Sequence, residues 1–456
     1  MSGLLYQGSA ADLVSEFAKV RKKTMQLFKP LTIEDAVMQS DPFGSPANWH
    51  IAHVTWFFQK VLEKHGADLE SKSHSFNLEY LNSYYQQFGN ILPKQARGKF
   101  PRPTVKQTLE YRSFIDRNVT KFLKETAGAA SEKTANAMTS ELRYDIVLGM
   151  QHEMQHQELM IYDFQHFFER FPDPSDNYKP ITINVPPAEV SELMIPSDMV
   201  NVPGGIFEVG YSGNGFCYDN ELPEHKVYLT PFKIDVLPVT NGQYVDFIED
   251  GGYQNYRYWL ADGWDLVEDQ GWNAPLYWTY QDNMWKKKDF RGLREIDPDE
   301  PVVNVSYYEA DAYARWIGKR LPTEAEWEKA ASWDEELQRK TIYPWGNRRP
   351  TPRHANLYES YLWGPSKVGS YPEGRSYYGC HHMIGDVWEW TSSEYVLYPG
   401  FKPKFPEYTD KWTINQKVLR GGCFATPTAQ IRNTYRNYFK PHERIPFAGF
   451  RCAVDT

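Results

Sequence analysis

The segment Gln151-His152-Glu153-Met154-Gln155-His156-Gln157-Glu158 lies inside a long stretch of helical periodicity. Two histidines four apart on a helix stand about 40° apart around its axis, so both imidazoles reach one metal ion. Gln155, three after His152, falls on the same face. The segment is a two-nitrogen half-site with an amide beside it. It also matches H-E-x-x-H, in which the glutamate is the general base of zinc hydrolases. That chemistry needs a third ligand, and the metzincin offsets hold Leu159 and Tyr162 instead of Gly and His. His166 and Glu169 remain as later candidates. Spacing alone leaves open which metal binds, and whether one does.

A length of 456 residues suggests two to three domains. Hydrophobic content of 41% and charged content of 24% are those of a globular chain. A net charge of −9 argues against a nucleic-acid surface. No apolar run approaches a membrane span, and Met1-Ser2-Gly3-Leu4-Leu5 lacks the start of a signal peptide, so cytoplasmic residence is expected. Cys217, Cys380, Cys423 and Cys452 show no C-x-x-C spacing and read as reduced, buried thiols. Aromatic content of 16%, with 31 Tyr, suggests an aromatic-lined pocket or irregular packing.

Up to about Phe171 the pattern is helical. Ser9-Ala10-Ala11-Asp12 opens a first helix, and Ser45-Pro46 is expected to cap and start a second, through Val61. A third follows Pro101-Arg102-Pro103-Thr104, and a fourth, from about Ala135 to Phe168, carries the two histidines. Four such helices suggest a bundle, whose core is where facing helices build metal sites. The 67–102 insertion, with Asn82-Ser83-Tyr84-Tyr85, is expected to fold over the bundle mouth. Residues 1–171, 172–197 and 198–456 are expected to be bundle, Pro-rich linker and C-terminal domain. The last has short strands among Gly, Pro and Asn clusters, with helices over Asn241–Glu249 and Ser306–Ile317 and another from Thr323.

The C-terminal part resembles the formylglycine-generating-enzyme domain, a C-type-lectin-like fold. The resemblance is carried by Val202-Pro203-Gly204-Gly205, Lys319-Arg320-Leu321-Pro322-Thr323-Glu324-Ala325-Glu326-Trp327-Glu328, Gly385-Asp386-Val387-Trp388-Glu389-Trp390, Arg420-Gly421-Gly422 and Gly449-Phe450-Arg451. The N-terminal part resembles the DinB-like bundle, with Trp49-His50-Ile51-Ala52-His53 on its second helix. Together, with Tyr218-Asp219-Asn220-Glu221 and Asp262-Gly263-Trp264, they resemble the non-haem iron sulfoxide synthases of ergothioneine biosynthesis.

The resemblance implies an oxidoreductase that uses Fe(II) and O₂ to join the thiol of cysteine to hercynine, a C–S bond formation ending in a sulfoxide. It implies His53, His152 and His156 as iron ligands. Glu158 belongs to the same signature, but two residues after His156 it points about 200° away and is expected to be structural. Glu153 is likewise expected to be structural, and His50 a packed or hydrogen-bonded helix residue. Gln155, Asn437 and Tyr438 resemble the hercynine-binding residues: an amide for the carboxylate, an aromatic face for the quaternary cation. Phe439 stands where the γ-glutamylcysteine-using branch has an acidic residue, which points to free cysteine; Arg102 and Arg444 are candidates for its carboxylate. A tyrosine is expected to act as a proton or hydrogen-bond donor, with Tyr84 or Tyr85 favoured over Tyr395 and Tyr398. The rival readings on this scaffold are a selenoneine or ovothiol-type synthase, and outside it a formylglycine-generating oxidase, a zinc hydrolase or a non-catalytic lectin-like module.

Overall fold

The computed structural model of the chain describes residues 9–67, 69, 76–99, 102–129 (the side chains of 127–129 excepted), 139–170, 178 and 199–456. The expected linker at 172–197 lies outside the described residues apart from Tyr178, as does the expected helix start near Ala135.

Helix α1 (Ala10–Phe28) begins as expected. The Ser9 hydroxyl accepts from the Asp12 N–H and the Asp12 carboxylate from the Ser9 N–H, which satisfies two terminal donors. Helix α2 (Ala47–Lys64) departs from expectation at its start. Pro46 is the flanking residue, no side chain caps the helix, and the Ser45 hydroxyl accepts instead from Arg97 Nη1 at 2.8 Å. Helix α3 (Val105–Ala129) and helix α4 (Ser140–Phe168, capped by Thr139) complete the bundle. α2 packs on α3 and α4, as does α1. Every α2 residue from Ala47 to Gln59 is buried, as befits a helix enclosed on all sides. Where α4 meets α2, a Cβ on Gly149 would stand 2.7 Å from Cε1 of Phe58; the glycine permits the close approach that sets the two histidine-bearing helices face to face.

After residue 198 the elements are short. β1 (Met199–Val202) leads to a ribbon of β2 (Gly205–Val209) and β3 (His225–Leu229), then β4 (Phe232–Asp235). Helix α5 (Asn241–Glu249) falls where expected, and α6 (Ala261–Gln270) was not expected: Leu260 gives no side-chain cap, and Gly263 interrupts its pattern. A meander of β5 (Trp278–Gln281), β6 (Met284–Asp289) and β7 (Gly292–Glu295) precedes α7 (Tyr307–Trp316) and α8 (Glu324–Ser332). Both later helices open with capping boxes, Ser306 with Glu309 and Thr323 with Glu326. A minimal pair, β8 (Trp333–Asp334) and β9 (Arg339–Lys340), comes before β10 (Trp388–Glu394), β11 (Lys417–Arg420), β12 (Asn437–Phe439), β13 (Ala448–Gly449) and β14 (Ala453–Asp455). β14 pairs with β4, which also pairs with β1, so the chain's end closes on the start of this region. The sheet β12-β11-β10-β13 faces the bundle.

Glu158 joins the two parts. Its carboxylate accepts from Trp388 Nε1 on β10 at 2.7 Å, from the Thr426 hydroxyl at 2.5 Å and from the Tyr162 hydroxyl. Burial raises its pKa against the opposing pull of these donors. The four cysteines are free and buried. No helix among the described residues is long and apolar enough to cross a membrane.

Candidate metal centre

His53 comes from α2, and His152 and His156 from one face of α4. Their nearest ring nitrogens all lie within 4.8 Å of one another, and all three are buried. Among the described residues this is the one group of three or more such side chains placed to hold a metal ion. Nε2 of His152 and Nε2 of His156 are 3.1 Å apart, a separation that two facing lone pairs tolerate only with a proton or cation between them. His53 donates from Nδ1 to the Leu81 carbonyl at 2.6 Å, which leaves its Nε2 a free lone pair. His152 Nδ1 has no hydrogen-bond partner among the described residues. Burial pushes the His152 pKa down to about 3 and those of His53 and His156 well below the usual value, with mutual repulsion adding to the last two. Three neutral, buried imidazoles suit a borderline cation such as a divalent transition metal.

The surroundings are aromatic. Trp49 stacks on His53 with centroids 4.5 Å apart, and the Arg97 guanidinium lies 3.6 Å from the Trp49 centroid. Phe57 is 4.5 Å from His152, and Tyr408, from the loop after β10, is 5.6 Å from it. The Tyr408 hydroxyl donates to Gln155 Oε1 at 2.6 Å, and Gln155 Nε2 donates to the Tyr435 hydroxyl at 3.2 Å. Gln155 is thus fixed between two phenols beside the histidines. Burial raises the pKa of both tyrosines, so both stay protonated, Tyr408 as donor to the amide and Tyr435 as its acceptor.

The other candidate residues divide into two groups. The hydroxyls of Tyr84 and Tyr85 are 3.2 Å apart, and that of Tyr84 donates to the Tyr408 carbonyl at 3.4 Å. The insertion therefore does reach the pocket, and its described part braces the Tyr408 loop. Tyr395 stacks on Tyr438 at 3.9 Å and donates to the Thr409 carbonyl, one residue from Tyr408. Asn437 turns its Oδ1 to the Tyr438 N–H, and Phe439 packs on Phe43 and Tyr162. Tyr398 is held elsewhere, its hydroxyl on Glu324 and its ring under Arg436. Arg444 is taken up by Glu309 at 2.9 Å, the Ala274 carbonyl and the Trp272 ring. Arg102 is exposed at the rim of a shallow cleft lined also by Asn48, Trp49, Tyr80 and Arg97.

Glu153 has no access to a metal-bound water. Its carboxylate is buried between Arg112 at 2.6 Å and Arg21 at 2.8 Å, with the Thr24 hydroxyl at 2.5 Å. Burial opposes its charge, but Arg112 and Arg21 outweigh burial and hold its pKa at about 2. The H-E-x-x-H match therefore lacks its base. Neither later candidate joins the group: His166 hydrogen-bonds Tyr277 instead, and Glu169 is not among the clustered side chains.

Three groups in this neighbourhood escape the sequence reading. Tyr408 and Tyr435 lie in loops or irregular stretches, where nothing distinguishes two tyrosines among 31. Arg97 follows a 3₁₀ turn at Lys94–Ala96 that carries no periodic pattern. Burial lowers its pKa to about 9, and its Nε has no hydrogen-bond partner among the described residues.

Comparison with known proteins bears on the whole chain. Residues 186–456 match the family described as sulfatase-modifying factor enzyme 1-like domain, and residues 16–160 match the DinB superfamily. The chain is 33% identical over 466 residues to a hercynine oxygenase of Mycolicibacterium thermoresistibile, covering 98% of this chain and 95% of that one. It is 31% identical over 457 residues to the hercynine oxygenase of Mycolicibacterium smegmatis, covering 97% and 99%. A hercynine oxygenase of Mycobacterium tuberculosis is 44% identical over 239 residues, 52% of this chain and 56% of that one. The expected fold class, a DinB-like helical part followed by a formylglycine-generating-enzyme-like part, holds.

Proposed function

We propose, from the chain's membership of the hercynine oxygenase family, that it is an Fe(II)- and O₂-dependent sulfoxide synthase joining cysteine to hercynine. In balance, the imidazole C–H of hercynine and the cysteine S–H give a C–S(O) unit and one water. O₂ takes up the four electrons released, two in forming the C–S bond and two in oxidising sulfur.

The observation that supports this reading most is the convergence of three buried imidazoles, within 4.8 Å, in a chain homologous along its length to hercynine oxygenases. His53, His152 and His156 would hold Fe(II). A bound iron supplies the one-electron chemistry that makes O₂ reactive, with positions left for substrates because the protein gives only three ligands. Gln155, oriented by Tyr408 and Tyr435, presents an amide to the substrate imidazole. Tyr438, with Asn437 beside it, offers an aromatic face to a trimethylammonium group and an amide to its carboxylate. Arg97, at the rim where Arg102 also stands, is the buried cation suited to the donor's carboxylate; Arg444 is already committed to Glu309. Phe439 offers no charge to a second amino-acid unit, in keeping with free cysteine. The neutral phenols of Tyr408 and of the Tyr84–Tyr85 pair are the hydroxyls available to donate a proton near sulfur. The family's alternative donor, a selenosugar, has no observation in its favour.

Anaerobic reconstitution with Fe(II), hercynine and cysteine, followed by O₂ and mass spectrometry, tests the proposal. The expected product has the mass of both substrates plus O₂ minus water. Cysteine oxidised on its own, with hercynine recovered unchanged, would overturn it.

A further inference from the structure

The three histidines are not equally supported. His53 leans on a neutral carbonyl and His152 on no described partner, whereas His156 is the head of a relay that ends on a carboxylate. Nδ1 of His156 is 2.6 Å from Nδ1 of His50, and Nε2 of His50 is 2.8 Å from Oδ2 of Asp163. If the Nε2 of His156 faces a metal, one proton arrangement fits this chain of contacts. His156 donates from Nδ1 to His50, and His50 donates from Nε2 to Asp163. We infer that Asp163 is a positioning residue of the metal site, acting through His50 to fix the tautomer and ring of His156 and to lend a neutral ligand set its negative charge.

The helix geometry is suited to this. Asp163 comes seven after His156 and eleven after His152, so it lies between them in azimuth, about 20° from each and two turns further along α4. His50 sits on α2 three before His53, the same side of that helix. The relay therefore crosses between the two helices that supply the ligands. His50 and Asp163 are 2% and 9% exposed. The loop before α2 is shaped around the carboxylate: the Ser45 N–H donates to Asp163 Oδ2 at 3.1 Å, and a Cβ on Gly44 would stand 2.1 Å from Asp163 Oδ1. Glycine at 44 is thus required for the carboxylate to lie where His50 reaches it. Carboxylate–histidine–metal arrangements tune ligand basicity and orientation; here a second imidazole is interposed.

The inference rests on the reading of His53, His152 and His156 as ligands, and the experiment separates the two. Metal-free wild type, Asp163→Asn, Asp163→Ala and Gly44→Ala are titrated anaerobically with Co(II), followed by its visible absorption, with thermal unfolding of each metal-free form alongside. The relay predicts affinity losses on the order of 10–100-fold for Asp163→Ala, the usual range for an outer-shell partner, and a smaller loss for Asp163→Asn. Gly44→Ala should weaken binding in the same direction although it touches no histidine, and should shift the Co(II) spectrum. Should Asp163→Ala fail to fold, the other two variants decide the matter. Wild-type affinity and spectrum in the folded Asp163 variants, with only the unfolding temperature lowered, would reduce Asp163 to a loop anchor and overturn the inference. A wild type that takes up no Co(II) would instead remove the metal-site reading, and the inference with it.

Discussion

The pocket has two walls, and they are held by different forces. On the helical side the three ligand positions themselves carry no charge, and the carboxylates of α4 stand away from them: Asp163 two turns further along, against His50, and Glu153 on another face between Arg21 and Arg112. On the C-terminal side charge lies directly behind the wall. Asp219 accepts from the Thr409 hydroxyl at 2.6 Å and the Lys404 N–H at 3.1 Å, fastening the loop that carries Phe405 and Tyr408. Glu221 holds Arg432 and Thr434, and Glu324 pairs with Arg436 beneath Tyr395 and Tyr398. A helix places side chains by its period, so its working face can stay neutral and receive a cation. A loop has no period, and here buried carboxylates fix its aromatic side chains instead.

The wall that carries the ligands is the more vulnerable of the two. His53→Ala should abolish iron retention after reconstitution and lower O₂ uptake with hercynine and cysteine on the order of 10³-fold or more, since a metal centre contributes several kcal/mol. Iron stoichiometry and an oxygen electrode measure both; undiminished iron in this variant would mean that α4 alone forms the site.

The next effect is on stability. Glu153→Gln should cost about 3–5 kcal/mol, because the buried Arg112 loses its ion-pair partner and Arg21 is left with Asp116 alone, while iron binding survives. A folded, iron-loaded Glu153→Gln enzyme without turnover would instead restore the general-base reading. The pH dependence has a definite sign. With its folded pKa at about 2 against an ordinary 4.5, the Glu153 carboxylate stabilises fully above the latter value, and that contribution drains away as pH falls from there toward 2. Denaturant titrations between about pH 7 and about pH 3 should therefore show the wild type losing stability more steeply below about pH 5 than the variant does.

The smallest predicted effect sharpens the loop-built wall. Tyr408→Phe removes the donor to Gln155 and should lower kcat by about 10²-fold, whereas Tyr395→Phe, whose hydroxyl is spent on Asn220 and Thr409, should cost less than about tenfold. Steady-state rates of the two variants compare them, and a reversed order would move the acting hydroxyl to Tyr395.

What could be read in the chain beforehand follows the same division. The four helices, the two-histidine face and the turn of Glu158 away from that face all come from one period, and the structure places them accordingly. Asp163 carried a usable signal too, since its spacing from His152 and His156 puts it on their stripe. Tyr408, Tyr435 and Arg97 carried none, because contacts distant in sequence place them: Asp219 to Thr409, Tyr84 to the Tyr408 carbonyl, Arg97 to Ser45. Ser45-Pro46 misled for a related reason. The hydroxyl that local chemistry assigns to a helix cap is claimed by an arginine 52 residues away.

Glu158 stands three residues past Gln155 on α4, one turn along, and grips Trp388 and Thr426 across the seam between the two halves. Gln155 also has both of its side-chain hydrogen bonds with the C-terminal half, through Tyr408 and Tyr435, whereas His53 and His156 keep theirs among Leu81 and His50 of the helical part. A slippage of one half against the other would therefore tilt the amide before it disturbed those imidazoles. On the proposed reading, discrimination between substrates would be the first property to drift, and the capacity to carry a metal the last.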